Sequence, residues 1–181
     1  MYSLKVKGII ATAVLLVVAG ATTATIPTAP VRNGPELPSP LCDRLRVDEG
    51  NKLHSQVFAT GEQIYRWNGT SWVFVEPAAT LFANAGYDGK VGKHYAGPTW
   101  ESNSGSKVVG ARLYGCSPDP DSIPWLLLEA VSTSGPGIYS SVTYIQRVNT
   151  KGGLAPAAPG SFVGETVQVP YTAEYYFYRE Q

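Results

Sequence analysis

The 181-residue sequence predicts an all-β fold: one mostly antiparallel domain, a β-sandwich or a barrel, with little helix. Three observations carry this. An Asn-Gly pair, Asn68-Gly69, sits between two β-branched and aromatic runs in "QIYRWNGTSWVFVE", the strongest short-range signal for a hairpin. The last run, "ETVQVPYTAEYYFY", alternates: Val167, Val169, Tyr171, Ala173, Tyr175 and Phe177 take one face, and Gln168, Thr172, Glu174 and Tyr176 the other. Period two over that length marks a sheet with one buried face. No stretch beyond the leader shows apolar spacing of 3.6 residues with caps, so helix is expected to be minor.

The elements follow in chain order. Residues 1–24 read as a secretory signal peptide: Lys5 and Lys7, then the apolar run "GIIATAVLLVVAGA", then small residues offering cleavage after Ala19-Gly20-Ala21 or Thr22-Thr23-Ala24. The apolar core thins after Val18 and meets Pro27, whereas a membrane span needs roughly 20 strongly apolar residues. Cleavage is therefore expected to leave a secreted, extracellular chain with no membrane attachment; a retained anchor is the alternative. Residues 25–41 are rich in Pro and short polar residues and read as an extended leader with too little apolar content to pack. Residues 42–181 are the β domain. Its size supports a single core without metal help.

Within that domain, Cys42 and Cys116 are the only cysteines, the right number in the right compartment for one disulfide, two free thiols being the alternative. Asn68-Gly69-Thr70 is an N-glycosylation pattern if the host is a eukaryote, but the turn accounts for Asn68 more simply. Trp67 and Trp72 flank that turn and are placed to meet across the hairpin. "PWLLLEAVS" and "IYSSVTYIQRV" read as strands joined by "TSGPG", and Pro170 demotes part of the last strand to an edge or a bulge, because proline donates nothing to the ladder.

Charge and motifs exclude several function classes. Loss of Lys5 and Lys7 with the signal leaves 12 basic and 14 acidic residues, a net charge of −2, and no run of Lys or Arg offers the basic patch a nucleic acid needs. Neither a G-x-G-x-x-G turn nor a Walker loop is present, so no nucleotide cofactor is expected. The two histidines, His54 and His94, are forty positions apart and lack partners at metal-motif spacings, so no metal is expected. Asp119 and Asp121 in "SPDPDSIPW" lack the Gly and Glu of a calcium loop and read as a solvated turn.

The densest cluster of functional side chains is "KHYAGPTWES", Lys93 to Ser102. Gly97-Pro98 reads as a turn, with His94, Tyr95, Trp100 and Glu101 on either side of it. No G-x-S-x-G elbow exists, yet His94 with Glu101 or Asp88 supplies the residue types of a small hydrolase, and Asp88 with Glu101 those of a glycosidase pair. The other reading is binding without catalysis. Eleven tyrosines and four tryptophans combine apolar faces with polar handles, suited to a glycan or a protein surface; filling of sheet faces is the bland explanation for any one of them. Tyr95 and Trp100, in a Gly-rich, loop-like stretch beside charged residues, are the pair core filling explains least, and with His94 they are the candidate ligand-binding residues.

The blocks "GKVGKHYAGPTWES", "GSKVVG", "SIPWLLLEA", "YIQRVNTKGGLAP" and "VPYTAEYYFY", in this order between Gln63 and Tyr178, resemble a secreted family of bacteria and fungi defined as a domain of unknown function. Some of its members carry the label malate dehydrogenase, which the residues here do not support, since no dinucleotide fingerprint and no βαβ alternation is present. The resemblance implies no catalytic residues. Members often have one cysteine closing the "QIY" strand and another after "GGxAP"; this chain has Trp67 in the first place and Gly160-Ser161 near the second, and Cys42 with Cys116 would replace that bridge. The sequence thus points to a secreted, non-catalytic binding protein for a carbohydrate or protein partner, with a small hydrolase or a structural or stress-related protein as alternatives.

Overall fold

A computed structural model describes residues 34–181, so the expected signal peptide and the first part of the leader lie outside the described residues. Eight strands run β1 (Asn51–Trp67), β2 (Trp72–Phe82), β3 (Lys90–Tyr95), β4 (Thr99–Ser102), β5 (Lys107–Cys116), β6 (Trp125–Ser134), β7 (Tyr144–Gly152) and β8 (Thr166–Glu180). Each pairs antiparallel with its sequence neighbour, and β1 pairs with β8 to close the sheet into a barrel. Of the two expected architectures the barrel is the one formed. A 3-10 turn, Asp43–Leu45, is the sole helical element among the described residues.

Period-two alternation sorts the side chains into two cores. The barrel interior holds Val57, Ala59, Leu81, Trp100, Val108, Leu128, Ile145, Tyr171, Ala173, Tyr175 and Phe177, and in β8 this is the face the alternation predicts. A second cluster lies outside the barrel, where Trp125, Leu127, Val148, Tyr176 and Tyr178 pack with Cys42, Leu45 and Cys116. This outer layer explains why "PWLLLEA" is apolar on both faces: Leu126 and Leu128 face inward, while Trp125 and Leu127 are covered by the segment before β1. That segment is more than a leader, since Leu37 packs against the outer cluster and the Cys42–Cys116 disulfide ties the segment to the end of β5. The bridge supplies an anchor that composition alone does not show.

The β1–β2 hairpin forms where Asn68-Gly69 predicts it, and Trp67 and Trp72 are directly paired, their rings 5.5 Å apart. The turn chemistry differs from the two-residue form. Residues 68–71 make a four-residue loop in which Gly69 has φ 99° and the Asn68 side-chain oxygen accepts from the amides of Thr70 and Ser71, both at 2.9 Å. Asn68 stabilises the turn through its side chain and needs no positive φ. Between β6 and β7 the connection runs to Thr143, so "IYSSV" is not strand. Instead Tyr139 and Val142 enter the interior, Tyr139 packing 4.7 Å from Phe177, and plug that end of the barrel.

Pro170 lies one residue beyond the last β7–β8 pair, Gly152 with Tyr171. Its carbonyl faces Gly152, so the missing N–H falls where β7 pairing has run out, a local edge inside a closed sheet.

Candidate functional site

In a meander barrel alternate connections share an end. The end formed by the β1–β2, β3–β4 and β5–β6 connections is hollow: a cavity of about 580 Å³ opens there, walled by apolar side chains including Tyr65, Phe74, Ile123 and Leu126. An eight-stranded barrel has an interior just wide enough to be filled by side chains or to hold one small ligand. Here the plugged end is filled and the other is not.

Four polar side chains project among these apolar walls: Gln63 of β1, His94 of β3, Arg112 of β5 and Arg147 of β7. Each holds an inward position of its strand, shared with Ala59, Gly92, Val108 and Ile145 respectively. A bulge between Arg112 and Tyr114 shifts the β5 register, and Gly115 leaves space for the Arg112 guanidinium, since a Cβ there would stand 2.7 Å from Nη2. Arg147 donates from Nε and Nη2 to the Pro124 carbonyl at 3.2 and 2.8 Å. Neither arginine forms an ion pair among the described residues.

His94 is 3% exposed. Its Nδ1 lies 2.9 Å from the Thr99 carbonyl, which only accepts, so Nδ1 carries the proton and Nε2 is left as an acceptor. The ring stacks on Trp100 at 4.3 Å with planes 13° apart and meets the edge of Tyr175. Burial lowers its pKa to about 3, the bond to Thr99 opposing this and the positive charge of Arg147 adding to it. Burial also raises the Tyr171 and Tyr175 hydroxyls, here with Arg147 acting in the opposite sense. At neutral pH the interior therefore holds a neutral imidazole, neutral phenols and the cationic Arg147.

Two donors in the cavity wall are buried and unmet, Gln63 Nε2 and Trp100 Nε1; the Gln63 amide stands near the Tyr171 hydroxyl without reaching hydrogen-bond geometry. An unsatisfied buried donor costs about 1–3 kcal/mol, and neither atom presents surface to the cavity.

The alternation divides "KHYAGPTWES" between two surfaces. His94 pairs with Trp100 and both face the interior, whereas Lys93 pairs with Glu101 and both face outward. Tyr95 belongs to the outer set: its hydroxyl donates to Glu101 Oε2 at 2.7 Å, and Lys93 and Lys107 approach the same oxygen at 3.4 and 3.5 Å. These contacts hold the Glu101 carboxyl below its usual range, the Tyr95 bond first among them. His94 and Glu101 are thus on opposite sides of the sheet. Asp88 sits exposed in the β2–β3 connection at the plugged end, so the structure brings neither carboxylate to His94 and does not join the two carboxylates to each other. Tyr95 and Trp100 likewise form no common platform. Gly97, with φ 82°, makes the β3–β4 turn at the cavity mouth.

His54 is far from this site, its Nε2 3.0 Å from the Ile138 carbonyl. Asp119 organises a turn, accepting from the Asp121 amide, Ser122 Oγ and Lys151 Nζ. No group of three or more His, Cys, Asp or Glu side chains placed to hold a metal ion occurs among the described residues. Gln63, Arg112, Arg147 and Tyr175 are the site residues the sequence reading missed.

Fold and cavity define a class: an antiparallel eight-stranded barrel, filled by its own side chains at one end and hollow at the other. The chain belongs to the family described as Protein of unknown function (DUF3455), whose model matches residues 48–179, more than half of the chain and all but the last residue of the barrel. This agrees with the resemblance to a family of unknown function, and it leaves Cys42 outside the matched region. No curated protein and no solved structure matches the chain.

Proposed function

We propose that this protein is a secreted, non-catalytic binding protein that takes a small organic molecule into the open end of its barrel. The observation that supports this best is the cavity itself, about 580 Å³ in volume, with Arg112 and Arg147 among its apolar walls. A mostly apolar pocket with a few placed polar groups is the usual form of a small-molecule site. Secretion is supported by the signal-like first 24 residues and by the Cys42–Cys116 disulfide, a bond of oxidising compartments. A sugar or a peptide end would enter by the same mouth, since the outer face around Tyr95 is occupied by its contacts with Glu101 and Lys93.

The test is uptake of the neutral dye N-phenyl-1-naphthylamine, which fluoresces in apolar surroundings. Saturable uptake at one site is expected, and Leu126→Trp, which fills the cavity from β6, should abolish it while the barrel still melts cooperatively. A wild-type protein that does not take up the dye, or a Leu126→Trp variant that takes it up equally well, would refute the reading.

A further inference from the structure

Charge in the lumen is one-sided. Among the described residues Arg112 and Arg147 line it, no Asp or Glu does, and His94 is neutral there. The chain as a whole has as many acidic as basic residues, so this is a local arrangement. Arg147 is partly buried: its Nε and Nη2 donate to the neutral Pro124 carbonyl, and the neutral Tyr175 hydroxyl stands beside its guanidinium. Arg112, at the mouth, has no carboxylate within ion-pair distance among the described residues. Arg112 is solvent-exposed there, but the partly buried Arg147 guanidinium, not met by a carboxylate of its own chain, is costly unless another anion meets it. Its planar fork matches a carboxylate with two parallel hydrogen bonds.

Both arginines are donors only, so the cationic groups of the wall seek acceptors. The remaining wall is aliphatic, aromatic and proline. We infer that the lumen selects an organic carboxylate: a molecule with a largely apolar body whose anionic end meets Arg112 and Arg147. This rests on the lumen-binding reading above and adds the chemical class of the ligand.

Displacement of bound N-phenyl-1-naphthylamine by decanoate and by decanol tests it, because the two competitors share an apolar body and differ in charge. At pH 7.5 decanoate should displace the dye at a concentration about tenfold lower than decanol, the range expected of one charge-assisted hydrogen-bonded pair. In Arg112→Gln, a substitution at an exposed position, and in Arg147→Gln, decanoate should lose most of that advantage over decanol measured on the same variant. Equal displacement by decanoate and decanol in the wild type would overturn the carboxylate inference and leave lumen binding intact. So would an advantage that survives in Arg112→Gln and in a folded Arg147→Gln or Arg147→Met. Failure of the wild type to take up the dye at all would overturn both.

Discussion

Removal of the Cys42–Cys116 bond by the double substitution Cys42→Ala, Cys116→Ala isolates one contribution to stability that can be worked from the chain. The cysteines are 74 residues apart. In the loop-entropy model a crosslink of that span restricts the unfolded chain by about 4.4 kcal/mol at 25 °C. For a domain of this size each kcal/mol corresponds to roughly 2–4 °C in melting temperature, so the double variant should melt roughly 10–15 °C lower. The urea m-value should rise, because the freed chain exposes more surface on unfolding. Since the effect acts on the unfolded state, the native barrel and its dye uptake should be unchanged. Reductant should lower the wild-type melting temperature by a similar amount and leave the variant alone. A variant melting within about 3 °C of the wild type, with the bond verified in the wild type by a mass gain of two hydrogens on reduction, would refute the reasoning.

Three further outcomes are expected. The lowered pKa of His94, about 3, means that the unfolded state binds a proton below pH 6.5 that the folded state refuses. Stability from this group is complete above pH 6.5 and falls toward pH 3 by up to about 1.4 kcal/mol per pH unit; in urea titrations His94→Gln should show a shallower loss over that window, and an unchanged slope would exclude His94 as the source. Trp100→Ala, at a position 1% exposed in the interior core, should cost about 3–5 kcal/mol, while Tyr95→Phe on the outer face should leave the melting temperature nearly unchanged; comparable losses would contradict the split of the segment between two surfaces. A Cβ on Gly61 would stand 2.2 Å from the Ala78 carbonyl oxygen and 2.5 Å from the Ala79 Cα, backbone that cannot swing aside, so Gly61→Ala should destabilise the β1–β2 ladder by about 1–3 kcal/mol, read from urea unfolding.

What the sequence made legible was local. The Asn68-Gly69 hairpin and the alternation of β8 were visible because their information lies within a few residues. Closure into a barrel was not, because it depends on pairing β1 with β8, elements from the two ends of the domain. The site was hidden for a related reason. Arg147 follows Ile145 by two positions and Arg112 follows Val108 by four, so both are charged residues at inward parity. That signal was present in the sequence, but it becomes a site only when the sheet closes around it. "KHYAGPTWES" stands out in the sequence by the density of its side chains. Its parity alone would have separated His94 and Trp100 from Lys93 and Glu101.

The seam between β1 and β8 also governs how the chain is completed. Every other ladder joins consecutive strands and can form as the polypeptide lengthens, but β1 keeps a free flank until the final fifteen-residue strand has been made. A chain stopped before Thr166 would therefore be an open sheet with the bare flanks of β1 and β7 offering hydrogen bonds to any passing strand, and not a smaller barrel. Quality control of this protein thus falls on its last segment, which converts a self-adhesive intermediate into a molecule with no strand edge to share.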